Sequence, residues 1–572
     1  MYDALREAWS EVTAEGAPFE IETIEVRGQR LRAFKNAPGS LRDVWLASGA
    51  HAESDAIVFQ DERWTYAEAH ASVASIANWY REQGLVSGDR IAIAMRNYPE
   101  WMLAYWAAQC SGIAVVGMNA WWTGPEMEFA IEDSEPKILI CDQERLANWL
   151  PSREKAPGMK LVGARVSNEL PAGVTPWSDL IAEGGALPAV EVDPDSDACI
   201  FYTSGTTGRP KGAQLTHRGC TNNLMSIGFW NATQALAKSR IDAVTGNASA
   251  AAAGGGEPPA QLAFLSTTPL FHVTANNCLA QPATLSGSKL VLMYKWDAGD
   301  ALRIIEAEKI TNLSGVPVMS RELLAHPDFE KHDTSSLKAL GGGGAQLQPD
   351  LVKEIDGKSG AAPSTGYGMT ETCGIITANG GDFFVDKAAS AGPVMPSFEA
   401  KCVNDRGETV APGEVGELWV KGAQVIRGYL NRPEATAEEI TDGWLHTGDV
   451  ARIDEDGFVF IVDRAKDMVL RGGENVYCAE VESAIFEHPL VRECAVFSVP
   501  DDRLGEEVGA AVFLSEKEGV TADALRAFCQ THLAKHKLPR YVWFLDESIP
   551  RNASGKFLKR ALRDRLDPAD AS

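Results

Sequence analysis

Short apolar runs alternate with helix-like segments along much of the chain. Residues 290–294, Leu-Val-Leu-Met-Tyr, are typical of a buried strand, and Asp297 then caps a predicted helix that reaches Ala307. Residues 311–316 return to a strand pattern. This alternation predicts an α/β fold, in which helices cover sheets of parallel strands.

The segment from residue 101 to 122 is apolar enough to be compared with a membrane span. It contains Gln109, Ser111, Gly112 and Asn119, and its pattern changes from helix-like to strand-like around Gly112. We therefore expect a buried helix followed by a buried strand, with no transmembrane segment. The polar N-terminus does not resemble a signal peptide. Peripheral contact with a membrane surface stays open.

Two further segments bear on the organisation of the chain. Residues 245–259 are mostly Ala, Gly and Pro, which indicates a low-complexity surface loop without assigned chemistry. Beyond Arg464, helix-like residues 480–486 and 522–533 flank strand-like runs at 495–497 and 510–513. About 110 residues suffice for a small second domain of mixed α+β structure.

Composition narrows the function classes. The chain has 572 residues, of which 45% are hydrophobic and 23% charged, as in a soluble multidomain protein. Its formal net charge of −26 argues against a nucleic-acid partner and means that local cations must hold any anionic ligand. The ten cysteines include no Cys-x-x-Cys pair, so neither a zinc site nor a disulfide framework is indicated. Free thiols suit a reducing cytoplasm.

A loop rich in glycine and hydroxyl groups follows one strand-like run. Residues 202–212 read Tyr-Thr-Ser-Gly-Thr-Thr-Gly-Arg-Pro-Lys-Gly. Glycine lets backbone N–H groups approach an anion, hydroxyls donate to it, and Arg and Lys neutralise it. The loop therefore predicts phosphate binding, although a plain surface turn can have the same composition. It is not a Walker A loop, because Pro210 precedes Lys211 and Gly212 follows it.

This loop resembles the signature of the adenylate-forming superfamily, which includes acyl-CoA synthetases, luciferases and peptide-synthetase adenylation domains. Six other segments resemble the motifs of that superfamily in the same order. They are residues 64–68 (Trp-Thr-Tyr-Ala-Glu), 88–93 (Gly-Asp-Arg-Ile-Ala-Ile), 366–371 (Gly-Tyr-Gly-Met-Thr-Glu), 446–449 (His-Thr-Gly-Asp), 463–467 (Asp-Arg-Ala-Lys-Asp) and 550–556 (Pro-Arg-Asn-Ala-Ser-Gly-Lys). Each alone is weak evidence, but the ordered set identifies the chain as a member.

The resemblance implies a reaction in two steps, with ATP, Mg²⁺ and coenzyme A. A carboxylate attacks the α-phosphorus of ATP, pyrophosphate leaves, and a thiol then displaces AMP from the acyl adenylate. Because two anions meet in the first step, catalysis should be mainly electrostatic and positional.

The resemblance also assigns roles to residues. Glu371 would ligate magnesium, Thr370 would donate to the α-phosphate, and Lys556 would bridge the carboxylate and the α-phosphate. Within the nucleotide site, Tyr367 would stack on adenine and Asp449 would hold the ribose hydroxyls. The residues expected to bind ATP or AMP are Thr203, Ser204, Gly205, Thr206, Thr207, Gly208, Lys211, Gly343, Gly344, Ala345, Tyr367, Gly368, Asp449 and Arg464.

The same family organisation implies movement between the two steps. Residues 1–463 would form the ATP- and acyl-binding domain, 464–466 a hinge that includes Lys466, and 467–572 a mobile domain that carries Lys556. A second arrangement would bring Gly472, Gly473 and Glu474 to the coenzyme A channel.

Phe271, His272 and Asn276 mark the expected acyl pocket. Residues 271–273 resemble the family segment that borders the carboxylate, although a His beside an apolar run is more often structural. Peptide-synthetase domains place an Asp shortly after this aromatic residue to hold the substrate amine. Residues 273–277 contain no acid, so an amino-acid substrate is disfavoured.

We therefore expect an acyl-CoA synthetase for a fatty or other hydrophobic carboxylic acid. The sequence ends sixteen residues after Lys556 and contains no Gly-Gly-x-Ser attachment signal, which favours coenzyme A over a fused carrier. Alternatives are an acyl-AMP ligase that loads a separate carrier protein, a luciferase-like oxidative enzyme and a non-catalytic ATP-binding regulator. The chain length of the acid, its aliphatic or aromatic nature, and a homodimeric state stay open.

Overall fold

Layers of sheet and helix make up the part of the chain that the structure, a computed structural model, describes. It covers residues 1–181, 185–203, 209–245, 261–404, 406–464, 466–472, 474–501, 503–515, 520–552 and 556–572. The low-complexity loop predicted at residues 245–259 falls outside these ranges, except for Thr245 at the end of a helix.

The strands are short and number twenty-eight in the described residues. They are β1 (Ile21–Val26), β2 (Gln29–Phe34), β3 (Asp55–Phe59), β4 (Glu62–Thr65), β5 (Arg90–Ala94), β6 (Ala114–Gly117), β7 (Ile138–Asp142), β8 (Lys160–Ala164), β9 (Val174–Pro176), β10 (Asp197–Thr203), β11 (Lys211–Thr216), β12 (Ala263–Ser266), β13 (Lys289–Leu292), β14 (Asn312–Gly315), β15 (Ala339–Gly342), β16 (Ala362–Met369), β17 (Gly374–Gly380), β18 (Gly392–Pro393), β19 (Phe398–Val403), β20 (Gly416–Gly422), β21 (Ile440–Thr441), β22 (Trp444–Ile453), β23 (Phe458–Arg464), β24 (Val469–Arg471), β25 (Glu474–Val476), β26 (Val491–Asp501), β27 (Gly505–Leu514) and β28 (Tyr541–Leu545).

The helices lie between these strands. They are α1 (Tyr2–Val12), α2 (Leu41–Ser48), α3 (Tyr66–Glu82), α4 (Pro99–Cys110), α5 (Gly124–Ser134), α6 (Gln143–Trp149), α7 (Trp177–Ile181), α8 (His217–Thr245), α9 (Val273–Ala275), α10 (Gln281–Leu285), α11 (Ala298–Glu308), α12 (Pro317–Ala325), α13 (Pro349–Lys358), α14 (Gly381–Asp386), α15 (Pro433–Glu439), α16 (Cys478–Phe486), α17 (Ala522–Cys529) and α18 (Lys559–Arg565). A π turn, Asn276–Ala280, joins α9 to α10.

Two large sheets carry most of the chain before residue 381. One has the strand order β11-β10-β6-β5-β7-β8-β9, and the other has the order β17-β16-β15-β14-β12-β13-β3-β4. Neighbours run parallel except at the edges, where β11, β17 and β4 are antiparallel to their partners. The parallel α/β architecture predicted from the alternating pattern is confirmed.

The local predictions in this region are also confirmed. Strands β13 and β14 flank α11, and the Asp297 side chain accepts a hydrogen bond from the Asp300 N–H at 2.8 Å, which caps that helix. The apolar segment after residue 100 forms the fully buried α4 and then β6. Among the described helices, none has the length and apolarity to cross a bilayer.

A third sheet is antiparallel, whereas the alternating pattern predicted parallel sheets. Strands β18-β23-β22-β20-β19 pair antiparallel, and β21 pairs with β22. Buried and less buried residues alternate along β20 and β22, so one face of each strand packs on the core. The last strand of this sheet, β23, ends at Arg464.

The small C-terminal unit has its own sheet and core. Strands β25-β24-β27-β26 are antiparallel, and β28 adds parallel to β27. Helix α16 and strands β26 and β27 match the predicted elements, whereas α17 ends at Cys529, four residues before the predicted end. The expected fold class, a large α/β unit with a smaller α+β unit, is thus confirmed.

Close backbone contact at the end of β15 requires glycine. Gly341 has φ +149°, and a Cβ there would lie 2.0 Å from the Ser364 carbonyl oxygen of β16. We expect Gly341→Ala to lower the free energy of unfolding by about 3 kcal/mol or more, because both backbone strain and a main-chain clash are added. Denaturant unfolding measures this.

Gly357, an exposed residue in α13, is the matched control. A Cβ there meets no atom within 4 Å, so Gly357→Ala should raise stability by up to about 1 kcal/mol. Equal effects of the two substitutions would contradict the steric argument.

Candidate active site

The candidate residues lie where strands of all three sheets of the large unit end. Strand β16 leads directly into the turn Thr370–Thr372, and β15 leads into Gly343. The charge of Lys556, a residue of the C-terminal unit, acts on residues at the same place. The carboxyl ends of parallel strands form a crevice of this kind in α/β proteins.

Asp449 forms the centre of the predicted ribose site. Its Oδ2 accepts a hydrogen bond from the Tyr367 hydroxyl at 2.7 Å, and its Oδ1 lies 3.2 Å from Nε of Arg464. Asp449 and Arg464 face each other across β22 and β23. Burial, and then the charge of Asp449, raise the pKa of Tyr367, so the phenol stays protonated and donates. The predicted nucleotide residues Tyr367, Asp449 and Arg464 are therefore in direct contact.

The glycines predicted to border adenine form one wall of a narrow cleft. Gly343 and Gly344 line it together with Thr268, Pro269, His272, Thr274 and Val316. Ala345 follows as an exposed residue. Gly368 sits at a bulge between β16 and β17, where a Cβ would come within 1.9 Å of the Gly374 carbonyl oxygen. Main chain without side chains thus lines this cleft at Gly343 and Gly344.

Glu371 is the predicted metal ligand and is almost fully buried, with 7% of its surface exposed. Burial raises the pKa of its carboxyl group, and the hydrogen bond from the Tyr429 hydroxyl, at 2.8 Å, opposes that rise. Thr370, one residue before it, is also buried. One carboxylate beside a phosphate site fits Mg²⁺, which binds proteins through one or two carboxylates and completes its shell with phosphate and water oxygens.

Lys211 and Thr203 define the two ends of the predicted phosphate loop. They face each other across β10 and β11, and the Thr203 hydroxyl donates to the Lys211 carbonyl oxygen at 3.4 Å. Residues Ser204, Gly205, Thr206, Thr207 and Gly208 lie outside the described part of the chain. The Lys211 ammonium forms an ion pair with Glu439 and lies 4.2 Å from the centre of the Tyr429 ring.

Lys556 brings the C-terminal unit to this site. Burial lowers the pKa of its ammonium group, as do the positive charges of Arg464 and Lys466, whereas Asp449 and Glu371 raise it. The Lys556 backbone is held by Asn552, whose side-chain oxygen accepts from the Lys556 N–H at 2.9 Å. Lys556 thus acts electrostatically on residues of the large unit.

His272 borders the same site. Its Nδ1 lies 3.4 Å from the Thr274 N–H and 3.2 Å from the Thr274 hydroxyl, so the imidazole caps α9. Burial, and then the charge of Lys556, lower the pKa of His272 to about 4, so it is neutral at physiological pH. A structural role as a helix cap and a place beside the substrate are compatible at this position.

The other two predicted acyl-pocket residues differ in their surroundings. Phe271 packs edge-on against Trp121, with ring centroids 5.8 Å apart. Asn276 lies one helical turn after His272 and is fully buried. Its amide donates to the Asn277 side chain at 3.1 Å and approaches the sulfur of Cys199 at 3.9 Å.

The predicted hinge residue Lys466 and the predicted coenzyme A loop at 472–474 have different surroundings. Burial and the neighbouring Arg464 lower the pKa of Lys466, and Asp449 raises it, which places Lys466 beside the nucleotide residues. Gly472 begins the β24–β25 turn with φ +61° and donates its N–H to the Leu504 carbonyl at 2.8 Å. Glu474 is exposed on β25, and Gly473 lies outside the described residues.

Sequence reasoning did not identify Tyr429 or Glu439. Tyr429 links the two carboxylates, since its hydroxyl lies 2.8 Å from Glu371 and 2.5 Å from Glu439. Glu439 is the last residue of α15. The sequence of this helix, Pro-Glu-Ala-Thr-Ala-Glu-Glu, is typical of a solvent-exposed helix and indicates no chemistry. Only the folded chain brings it to Lys211, 228 residues earlier.

Comparison with known proteins gives a consistent result. The family model for AMP-binding enzymes matches residues 45–430, and the model for the C-terminal domain of AMP-binding enzymes matches residues 480–556. A feruloyl-CoA synthase from Amycolatopsis sp is 37% identical over 504 residues, covering 88% of this chain and 94% of the relative. A long-chain-fatty-acid–CoA ligase from Bacillus subtilis (strain 168) is 30% identical over 539 residues, covering 89% and 91%.

Solved structures are similar along the same length. The anthranilate CoA ligase AuaEII in complex with anthranoyl-AMP has a TM-score of 0.81 against this chain. Its sequence is 25% identical, and the match covers 92% of this chain and 96% of that one. ATP-bound MatB from Rhodopseudomonas palustris has a TM-score of 0.78 at 29% identity over 92% and 98%.

Proposed function

Because this chain belongs to the AMP-binding enzyme family, we propose that it is an acyl-CoA synthetase for a hydrophobic, fatty-type carboxylic acid. The protein is an AMP-forming acid–thiol ligase that uses ATP, Mg²⁺ and coenzyme A, as its relatives are. The observation that best supports the residue roles is the electrostatic influence between Lys556 and the residues Asp449, Glu371 and His272.

Lys556 would act on the charge that moves during adenylation. The attacking carboxylate and the α-phosphate are both anions, and a buried ammonium placed between them stabilises their approach. The negative charge that enters with ATP would also raise the pKa of Lys556, which opposes the effect of burial and keeps the amine protonated.

Asp449, Tyr367 and Arg464 would position the nucleoside. Each Asp449 oxygen has a donor at hydrogen-bond distance, which fixes the carboxylate plane toward the ribose hydroxyls. Magnesium, held by Glu371, would supply charge neutralisation on the phosphates. Thr370 would add a hydroxyl donor, and Lys211 would bind the departing pyrophosphate.

The nature of the acid has two candidates. The apolar Phe271 and the lack of an acidic residue at 273–277 support a hydrophobic acid without an amine, and long-chain-fatty-acid–CoA ligases are among the relatives. A hydroxycinnamic acid is the second candidate, because the feruloyl-CoA synthase is more similar, at 37% against 30% identity. Ten free thiols support a reducing compartment, consistent with the predicted cytoplasmic location.

Lys556→Ala tests the role of the C-terminal unit. We expect adenylation, measured as acid-dependent release of pyrophosphate, to fall by about 10²- to 10³-fold, because one preorganised donor is lost. Transfer of the acyl group from a supplied acyl adenylate to coenzyme A should fall much less.

Lys535→Ala, which removes an exposed lysine from the same unit, is the control and should change neither rate. Equal loss of both half-reactions in Lys556→Ala would indicate a structural role for this lysine.

A panel of acids tests the substrate class. AMP and pyrophosphate formation is measured with alkanoic acids of increasing length and with cinnamic acids that carry or lack ring hydroxyls, each with and without coenzyme A. We expect AMP release that needs both an apolar acid and coenzyme A, with the best kcat/KM for the alkanoic series. Preference for hydroxylated cinnamic acids by about tenfold would replace the fatty-acid assignment with the second candidate.

Two other outcomes would contradict the proposal. Adenylate formation that coenzyme A does not discharge would indicate a separate carrier protein as the acceptor. ATP binding without turnover on any acid would indicate a non-catalytic regulator.

A further inference from the structure

Glu439 pairs with Lys211, the lysine at the end of the predicted phosphate loop. Its carboxylate forms an ion pair with the Lys211 ammonium at the end of α15. The pair is partly buried, since 18% of the Lys211 side chain and 35% of the Glu439 side chain are exposed. A partly buried pair is screened by salt less than a surface pair, so its strength is retained in solution.

Tyr429 fixes the geometry of this pair. Its ring lies under the Lys211 ammonium at 4.2 Å, and its hydroxyl lies 2.5 Å from Glu439. The same hydroxyl lies 2.8 Å from Glu371, so its one hydrogen is shared between the two carboxylates. The Tyr429 side chain therefore links Glu439, which pairs with Lys211, to Glu371.

This arrangement weakens Lys211 as a receptor for phosphate. An ammonium carries one charge and three donors, and Glu439 compensates the charge and takes one donor. A triphosphate or pyrophosphate that approaches Lys211 has to compete with this carboxylate and is repelled by it. Like-charge repulsion at a binding site lowers affinity, and it lowers it most for the most highly charged ligand.

We propose that Glu439 is a competing counter-ion for Lys211, which weakens the retention of pyrophosphate and so speeds its release. The proposal rests on the proposed function, in which pyrophosphate leaves after adenylation past the phosphate loop. Adenylation is reversible while pyrophosphate stays bound. A site that holds pyrophosphate loosely commits the acyl adenylate to the thiol step, at the expense of some affinity for ATP.

Glu439→Gln tests this with the shape of the side chain kept, because the amide removes the negative charge and leaves a polar group within hydrogen-bond distance of the Tyr429 hydroxyl. Binding of magnesium pyrophosphate and of MgATP to the full-length protein is measured by titration calorimetry in the absence of acid. We expect pyrophosphate to bind about fivefold to tenfold more tightly, where tenfold is about 1.4 kcal/mol. MgATP should bind more tightly as well, and product inhibition by pyrophosphate should become stronger.

Glu438→Gln is the matched control, since it makes the same charge change one residue earlier, on an exposed side chain. It should leave both affinities unchanged. Lys211→Gln provides the second comparison: in that background Glu439→Gln should have no effect beyond that of Glu438→Gln, because the counter-ion acts through Lys211.

Three outcomes would overturn the proposal. Unchanged pyrophosphate binding in Glu439→Gln means that the ion pair does not compete with phosphate. Weaker binding means that Glu439 positions Lys211 for phosphate. An equal effect of Glu438→Gln means a general field effect. If Glu439→Gln does not fold, Glu439→Asp shortens the side chain with its charge kept, and it should tighten pyrophosphate binding in the same direction.

Failure of this inference is distinguishable from failure of the proposed function. Binding is measured without any acid, so it reports on Glu439 even where no acid in the panel is activated. Acid-dependent AMP formation by the wild-type protein, together with unchanged binding in Glu439→Gln, would reject the inference alone.

Discussion

The constraint on which this structure depends is the supply of positive charge. The protein has a formal net charge of −26, yet a substrate with several phosphates has to meet a carboxylate inside it. Its cations must therefore be concentrated at one place and held there by the fold. Arg464, Lys466 and Lys556 lie close enough that each lowers the pKa of a neighbour, and Asp449 and Glu371 offset this repulsion.

Such a cluster is costly for the unliganded protein, because buried like charges repel and lose their hydration. Two features limit that cost. Two of the cations have a carboxylate within reach, as Arg464 has Asp449 and Lys211 has Glu439. In addition, Lys556 belongs to a different unit from Asp449, and we propose that movement of the small unit would relieve the repulsion. On that proposal, a division into two units would serve the assembly of charge as well as the exchange of active-site groups.

Much of the fold could be predicted from the sequence, partly from local patterns and partly from the order of motifs along the chain. Local signals were sufficient for α11, where Asp297 caps the helix, and for the buried α4. The order of the motifs was sufficient for the family and for the two-unit architecture. The antiparallel third sheet was not predicted, although β20 alternates buried and less buried residues. The sequence pattern of a short strand does not reveal whether it pairs parallel or antiparallel until its partner strands are known.

Tyr429 and Glu439 show why the rest of the site escaped prediction. Neither residue stands in a pattern that indicates chemistry, and their significance comes from contacts with residues far away in the sequence. Glu439 ends a helix with three glutamates, and only the tertiary position of α15 brings one of them to Lys211. Charge pairs between distant segments are set by tertiary geometry, which local composition does not encode. A candidate phosphate loop can therefore be proposed from sequence, whereas the counter-ion proposed to set the strength of its binding is found only in the structure.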